Sequence, residues 1–291
     1  NLLDLGLKTL DRVVVQLPNV IEFVVTYFAL QKIGCIPIAA LATHRYMEVS
    51  QFVALSGATT CIFPDRQGDF DFRPMIARVK NENACLKFGL VLGEAGEGFL
   101  SLRDLIAAPS KRDPKELKSI VIEPTDPAIF QLSGGTTGVP KLIPRTHNDY
   151  AYNSKAAVKV CGIDSESVLL LVLPIAHNLP LACPGLQGFM MQGAKVVLST
   201  STRPEEMFRL IERHRVTHLK VVPALLIRLV NDPSISKYDL SSLKVIQSGG
   251  QRMQPHQHEK TAHNLDAVAD QHDLALGLGV GVGADERGQH H

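Results

Sequence analysis

The sequence is poor in aromatic residues and has almost no net charge. Its 291 residues include no tryptophan, and aromatic side chains make up only 5% of them. Surfaces that bind single-stranded nucleic acid or carbohydrate use aromatic rings for stacking, so the composition argues against both. The 30 Lys and Arg residues oppose 29 Asp and Glu residues, which leaves a net charge of +1. This balance gives no electrostatic reason to expect a nucleic-acid or membrane-surface partner.

Paired cysteines and long apolar runs are also missing. The five Cys residues are widely spaced and form no CxxC pair, which disfavours a disulfide framework or a zinc site and fits a cytoplasmic protein. A membrane span needs about 20 nearly uninterrupted apolar residues. Polar residues interrupt the most apolar region, 13–42, so we expect no span there. No signal peptide is visible, and the first residue, Asn1, suggests that the chain starts inside a longer protein.

Short β-branched runs alternate with amphipathic segments along most of the chain. The alternation predicts parallel sheets covered by helices, an α/β fold. We expect strands at 13–17, 35–41, 59–63, 86–92, 128–132, 141–145, 168–173, 195–199, 217–222 and 243–247. We expect helices at 20–33, 47–56, 73–81 and 149–160, and others near Leu186, Phe208 and Leu226.

Changes in composition divide the chain into four parts. A first α/β subdomain is predicted over 1–108, and a polar, Pro-bearing connector over 109–127. A second α/β subdomain is predicted over 128–254. The tail, 255–291, contains six of the eleven His residues and a low-complexity Gly run, so we expect it to be aberrant or disordered and to add nothing to the sheet.

A loop rich in Gly and Thr follows one predicted strand directly. The segment 130–141 reads FQLSGGTTGVPK. Its three glycines allow the backbone to approach a phosphate closely, and its hydroxyl groups and Lys141 add donors and a positive charge. It is not a Walker loop, because Gly does not precede its Lys and Ser or Thr does not follow it. The pattern predicts a phosphate-binding loop rather than a flexible surface loop.

This loop resembles the phosphate loop of the adenylate-forming (AMP-binding) superfamily, which includes acyl- and aryl-CoA synthetases, luciferases and peptide-synthetase adenylation domains. A second segment, 173–185, reads LPIAHNLPLACPG and resembles the acid-pocket motif of the aryl-acid AMP ligases of siderophore synthesis. The segment 247–250, QSGG, falls where that subfamily carries a pocket-wall motif. The likeness runs from about Val13 to Gln254 and implies the N-terminal domain of such an enzyme, incomplete at both ends.

The resemblance implies that an aryl carboxylate attacks the α-phosphorus of ATP and that pyrophosphate leaves. Such a reaction needs no protein nucleophile, only positioning and neutralisation of phosphate charge. Lys141 and His177 are the catalytic residues that the resemblance implies. It assigns the nucleotide to Ser133, Gly134, Gly135, Thr136, Thr137, Gly138, Lys141, Gly249 and Gly250. It assigns the acid to His177, Asn178, Leu179, Cys183, Lys220, Gln247 and Gly249.

Two of these residues bear on the choice of acid. The resemblance implies that the Asn178 amide binds the 2-hydroxyl of the acid. Cys183 stands where dihydroxybenzoate activators carry Ser. A thiol is a weaker hydrogen-bonding partner for a 3-hydroxyl than Ser is, so we expect salicylate to be preferred over 2,3-dihydroxybenzoate. Cys183 is also compatible with a role as a small buried hydrophobe.

Two residues depart from the subfamily pattern. Leu179 replaces an aromatic residue beside the Asn, which removes a stacking wall. Lys220 replaces a residue that is usually small, and strand alternation places it on one face with His218 and Val222. If that face lines the pocket, Lys220 pairs with a carboxylate or fills space; if it does not, Lys220 is an ordinary edge charge.

The segments that the family carries after Gln254 are not found. A Glu-containing segment that helps to hold Mg²⁺, a ribose-binding segment and a C-terminal domain with the adenylation Lys should follow. We expect a frameshift or artificial junction near Gln254. The pair His256 and His258 is too small for a selective metal site, and Gly277–Gly283 lacks the strand and helix of a dinucleotide fingerprint, so we assign no metal ligand.

The leading functional hypothesis is aryl-acid adenylation with ATP and Mg²⁺ in siderophore synthesis, followed by transfer to an aryl carrier protein or peptide synthetase. We expect the truncated chain to be impaired in this reaction. One alternative is another acyl- or aryl-CoA ligase, which the context of Asn178 and Cys183 disfavours. A second alternative is a non-catalytic remnant that binds ATP or the acid, because a fold can persist after its activity is lost.

Overall fold

The computed structural model describes residues 1–133 and 141–249, together with the backbone of residues 275–278. The strands are β1 Arg12–Val15, β2 Ile36–Ala39, β3 Thr60–Pro64, β4 Arg66–Gln67, β5 Phe70–Asp71, β6 Phe88–Leu92, β7 Leu100–Ser101, β8 Pro127–Ser133, β9 Lys141–Thr146, β10 Val168–Leu171, β11 Lys195–Leu198, β12 His218–Val221, β13 Val245–Ser248 and β14 Ala275–Leu278. The helices are α1 Ile21–Lys32, α2 Tyr46–Ser56, α3 Phe72–Glu82, α4 Leu102–Ala107, α5 His147–Cys161, α6 Asn178–Ala182, α7 Gly185–Met191, α8 Pro204–His214 and α9 Pro223–Val230. Short 3₁₀ helices cover Pro114–Ser119 and Pro233–Lys237.

The first sheet has seven strands in the order β7-β6-β3-β1-β2-β8-β9. All neighbours are parallel except β8 and β9, which form an antiparallel hairpin. Strands β1, β2 and β3 are almost wholly buried because helices cover both faces of a parallel sheet, which explains their continuous apolar runs. Phe52 of α2 and Phe72 and Ile76 of α3 pack in one apolar cluster with Phe63 of β3.

The second sheet has five parallel strands in the order β11-β10-β12-β13-β14. Helices α8 and α9 cover it with a separate apolar cluster that includes Phe208, Leu219 and Leu226. The expected α/β fold with largely parallel sheets is therefore confirmed. The strand β12 lies at the centre of this sheet, which matters for the candidate site.

Strand β14 corrects one expectation about the tail. The tail was expected to add nothing to the sheet, but the backbone of Ala275–Leu278 pairs with β13 over four residues. Without this pairing, one side of β13 would expose unpaired backbone N–H and C=O groups. A parallel ladder requires only backbone groups, so a Gly-rich segment without an apolar period can supply it. Residues 250–274 and 279–291 lie outside the described part of the chain, and these ranges include His256, His258 and residues 279–283 of the Gly run.

The chain divides into two compact units. Unit 1 contains residues 1–160 and 174–188, and unit 2 contains residues 161–173 and the chain from Phe189 onward. The hairpin of β8 and β9 belongs to the seven-stranded sheet, although the sequence suggested that a new subdomain begins at residue 128. Chain order does not reveal which sheet a strand joins after a long crossover, and here β8 pairs with β2. The predicted domain boundaries remain a prediction.

No disulfide joins the five cysteines, which all lie in the described ranges. None of the helices within 1–133 and 141–249 combines the length and the apolar character that crossing a membrane requires.

Candidate active site

The two ends of the predicted phosphate loop face each other across a hairpin in unit 1. Ser133 is the last residue of β8, Lys141 is the first residue of β9, and the two are paired in the antiparallel register. The Lys141 side chain is exposed and Ser133 is half-buried. The loop between them, with Gly134, Gly135, Thr136, Thr137 and Gly138, lies outside the described residues. The hairpin therefore brings a hydroxyl and an ammonium group to the same end of the sheet.

The predicted acid motif begins with a turn that a distant side chain holds in place. The backbone N–H of Ile175 donates a 3.0 Å hydrogen bond to the Asn19 side chain, and both residues are buried. Asn19 follows β1, so its side chain lies at the carboxyl end of a parallel strand, where ligand sites of α/β folds gather. No sequence pattern had marked Asn19, although a polar residue within four positions of the end of a buried strand is a signal that could have identified it.

His177 follows this turn and precedes α6. Its backbone N–H donates to the Pro174 carbonyl at 3.0 Å, and its side chain makes no capping hydrogen bond to the helix. Although the ring contacts solvent, desolvation by the surrounding protein lowers the pKa of His177 below its ordinary value of 6.5. The imidazole is therefore neutral at pH 7, and it can accept or donate a hydrogen bond without adding charge.

A second histidine, His44, lies in the same region of unit 1. Burial lowers the pKa of His44, Glu48 opposes this change, and the charge of His177 lowers the pKa further. The Nδ1 atom of His44 accepts a 3.0 Å hydrogen bond from the Leu41 amide. The proton of the neutral ring consequently resides on Nε2. No sequence pattern had marked His44.

Asn178 opens α6 with an unsatisfied polar atom. Its Oδ1 atom is buried and has no hydrogen-bond partner among residues 1–133 and 141–249, whereas the residue as a whole is half-buried. A buried carbonyl oxygen without a donor is costly, so such atoms mark either strain or a site for a ligand. Leu179 is the second residue of this helix and Cys183 directly follows it; both are half-buried, and the Cys183–Pro184 peptide bond is cis. The structure thus presents the motif residues on one short helix.

The remaining predicted acid residues lie in unit 2. Lys220 of β12 and Gln247 of β13 are register partners, and the Lys220 ammonium donates a hydrogen bond to the Gln247 side-chain oxygen. Lys220 is only 2% exposed and lies on the central strand, so the alternative that it is an edge charge is wrong. Gly249 follows β13, and its N–H donates to the Val221 carbonyl at 3.2 Å. Gly250 lies outside the described residues.

The site residues form three groups in the described parts of the chain. Ser133 and Lys141 face each other, residues 177–183 lie on and around α6, and Lys220 contacts Gln247. Within 1–133 and 141–249, no three His, Cys, Asp or Glu side chains are grouped so that they could hold a metal ion.

Comparison with known proteins identifies the family. The sequence pattern of AMP-binding enzymes matches residues 1–269, which extends past Gln254. The chain is 46% identical over 246 residues to the 2,3-dihydroxybenzoate-AMP ligase of Bacillus subtilis, covering 84% of this chain and 44% of the relative. It is 40% identical over 251 residues to the salicyl-AMP ligase / salicyl-S-ArCP synthetase of Mycobacterium tuberculosis, covering 86% of this chain and 44% of the relative.

A solved structure supports the same relationship. The apo structure of MbtA from Mycobacterium smegmatis superposes with a TM-score of 0.80 at 36% sequence identity, covering 92% of this chain and 47% of that chain. The chain therefore spans less than half of the length of these three proteins.

Proposed function

Because the chain belongs to the AMP-binding enzyme family, we propose that it is the N-terminal domain of an aryl-acid AMP ligase of siderophore synthesis. The names of the relatives described above support this proposal. In the reaction, a carboxylate oxygen of the acid forms a bond to the α-phosphorus of ATP. The bond from that phosphorus to the bridging oxygen breaks, and pyrophosphate leaves with the electron pair. An aryl carrier protein thiol then attacks the acyl carbon and releases AMP.

The single observation that carries the proposal is the unpartnered oxygen of Asn178. The hydroxyl of a 2-hydroxy aryl acid is a donor that the Oδ1 atom lacks in the described structure. An unsatisfied buried acceptor costs about 1–3 kcal/mol, and a bound hydroxyl would remove that cost. Aryl acids without a 2-hydroxyl leave the oxygen unsatisfied. The site therefore favours 2-hydroxy acids, because only these acids supply a donor to the Asn178 oxygen.

The other residues of unit 1 take complementary roles in this proposal. His177, neutral at pH 7, lies beside Asn178 and lines the junction between carboxylate and nucleotide without adding charge. Lys141 and Ser133, at the mouth of the hairpin, bind the phosphates together with residues 134–138. The Cys183 thiol is a weak hydrogen-bonding partner for the 3-hydroxyl of 2,3-dihydroxybenzoate. Salicylate lacks this hydroxyl, so we expect the site to prefer salicylate.

In unit 2, we assign the pocket wall to Gln247 and Gly249. Lys220 holds the Gln247 side-chain oxygen, so the Gln247 amide N–H groups are the donors that this side chain can still offer. Leu179 supplies an aliphatic surface where the subfamily has an aromatic ring. The cofactors that we propose are ATP and Mg²⁺, the partner is an aryl carrier protein or peptide synthetase, and the compartment is the cytoplasm.

The experiment that tests this function is isotope exchange between pyrophosphate and ATP. Salicylate should support exchange, 2,3-dihydroxybenzoate should support less, and benzoate should support the least. Asn178→Leu should reduce the salicylate rate about tenfold or more, since one hydrogen bond to the acid is lost. The control is Asn231→Leu, which changes an exposed Asn in unit 2. Faster exchange with benzoate than with salicylate would refute the proposal.

The same assay separates the alternatives. A remnant would bind ATP or salicylate, detectable by calorimetry, without supporting exchange. A CoA ligase would support exchange and would then form an acyl thioester with coenzyme A rather than with a carrier protein. Once pyrophosphate exchange has been detected, adding coenzyme A and an aryl carrier protein in parallel reactions shows which thiol accepts the acyl group.

A further inference from the structure

Helix α5 contacts both the phosphate-loop strand and the acid motif. At its first turn, the Tyr150 hydroxyl oxygen accepts a 3.0 Å hydrogen bond from the side-chain amide of Gln131 in β8. Gln131 lies two residues before Ser133, and both partners of this hydrogen bond are buried. Burial raises the pKa of Tyr150, so its hydroxyl stays neutral. One side chain of α5 is thus attached to the strand that leads into the phosphate loop.

One turn later, α5 binds the end of α6. The Ser154 hydroxyl and the Asn153 amide both donate to the Ala182 carbonyl, at 2.9 and 3.0 Å. Ser154 is fully buried, and Ala182 directly precedes Cys183. These two donors satisfy a carbonyl at the C-terminal end of α6, where a helix leaves its last C=O groups without partners inside the helix. The position of the helix that carries Asn178 therefore depends on α5.

Close packing adds to these hydrogen bonds. A Cβ atom on Gly188 of α7 would lie 2.6 Å from the Pro184 side chain and 3.0 Å from Val158 of α5. The segment from Pro184 to Gly188 therefore lies against α5 with no space for a larger residue. Close packing of this kind transmits a displacement of one helix to the segment that lies against it.

We propose that Tyr150 and Ser154 are positioning residues that place the end of β8 and the acid motif relative to each other through α5. The proposal rests on the proposed function, because it supposes that both segments bind substrates of one reaction. Neither residue is expected to contact a substrate. Tyr150 acts through Gln131 on Ser133, the last residue of β8, whereas Ser154 acts through Ala182 on Asn178 and Cys183.

The two residues should affect the two substrates differently. Ser154→Ala removes the fully buried one of the two donors to the Ala182 carbonyl and so loosens the end of α6. It should therefore raise the KM for salicylate about tenfold and leave the KM for ATP nearly unchanged. Tyr150→Phe removes only the hydroxyl, so it should raise the KM for ATP more than the KM for salicylate. A merely structural role would lower the amount of folded enzyme and leave both KM values unchanged.

Amide hydrogen exchange on the unliganded chain tests the positioning without any need for activity. We expect Ser154→Ala to accelerate exchange in residues 178–188 about tenfold, because the opening of that segment becomes easier. Tyr150→Phe should accelerate exchange in β8 and leave residues 178–188 close to the wild-type rate. The matched control is Tyr152→Phe on the same helix, whose side chain is 73% exposed and whose exchange should match that of the wild type.

The outcomes are distinguishable from failure of the proposed function. If amide hydrogens in residues 178–188 of the Ser154→Ala variant exchange at the wild-type rate, the proposal is overturned, whether or not the chain adenylates an acid. Equal changes in both KM values for both variants would overturn it as well. Faster pyrophosphate exchange with benzoate than with salicylate, together with the localised acceleration of amide exchange, would refute the proposed function and retain α5 as the element that positions both segments.

Discussion

The backbone N–H of Ile175 donates a hydrogen bond to the side chain of Asn19, which lies 156 positions earlier in the chain. This hydrogen bond attaches the turn before His177 to the carboxyl end of β1. Since both groups are buried, neither can exchange its partner for water. The acid motif is therefore held at its beginning by Asn19 and at its end by α5.

Removing the Asn19 side chain should destabilise unit 1. In Asn19→Ala, the buried Ile175 N–H loses its acceptor, which should lower the free energy of unfolding by about 1–3 kcal/mol. Urea denaturation followed by circular dichroism measures this change. The matched control is Asn231→Ala, an exposed Asn that donates to the Ile227 carbonyl, with an expected change within about 0.5 kcal/mol. Equal losses of unfolding free energy in the two variants would contradict the role assigned to the Asn19 side chain.

Glycine is required at position 185 by both conformation and space. Gly185 has φ +45°, and a Cβ atom there would lie 2.1 Å from the Pro180 carbonyl oxygen. Gly185→Ala should therefore cost about 1–2 kcal/mol of backbone strain and about 1–3 kcal/mol of steric overlap, and should weaken salicylate binding. In the control Gly162→Ala, φ is +62° with nothing within 4 Å, so only the strain is expected. Thermal unfolding of both variants measures the difference, and identical melting temperatures would be inconsistent with the clash.

Lys220 and Gln247 should be energetically coupled. We expect a double-mutant cycle with Lys220→Met and Gln247→Leu to give a coupling energy of about 0.5–3 kcal/mol, because Lys220 is buried and Gln247 is half-buried. The exposed ion pair of Arg215 and Asp239, 2.7 Å apart, is the comparison and should give less than about 1 kcal/mol. A coupling energy near zero for the first pair would show that Lys220 does not hold Gln247.

The stability of unit 2 should fall in mild acid because of His218. Burial lowers the pKa of His218 below 6.5, and the nearby charges of Lys220 and Lys244 lower it further, while the Cys161 backbone and Asp164 oppose the change. Above pH 6.5 the ring is neutral in both the folded and the unfolded chain, so stability is complete. As the pH falls from 6.5 towards the folded pKa, only the unfolded chain takes up the proton, and stability declines.

An NMR titration of the His218 ring, together with urea denaturation between pH 5 and pH 7, measures both quantities. The ring should titrate below 6.5 and the midpoint of denaturation should fall with pH. A folded-state pKa above 6.5 would reverse the sign of this dependence.

Much of the fold is predictable from the sequence because buried parallel strands are continuous apolar runs. Strand β3 was expected at 59–63 and lies at Thr60–Pro64. The sheet that β8 joins was not predictable, since β2 and β8 are far apart in the chain and meet only in the folded protein. Helix α6 was not expected either, because it has five residues and contains Pro180, too short a segment for helical periodicity.

The candidate site was predictable where a motif is continuous and not where distant residues complete it. Asn178 and Cys183 belong to one segment, so a resemblance to a family could identify them together. Asn19, Tyr150 and Ser154 lie elsewhere in the chain and affect the site through single hydrogen bonds. The pattern of neighbouring residues in the sequence does not indicate hydrogen bonds between residues that are far apart in the chain. Lys220 illustrates the same limit, because its burial and its partner became evident only with the strand order.

The central claim is that Asn178 recognises the 2-hydroxyl of an aryl acid, and calorimetric titration of the chain with salicylate and with benzoate tests it most directly. The two acids differ only in that hydroxyl. We predict that salicylate binds about tenfold more tightly than benzoate, since one additional hydrogen bond is worth about 1.4 kcal/mol. Asn178→Leu should reduce this ratio to about one. Equal affinities of the wild-type chain for the two acids would contradict the claim.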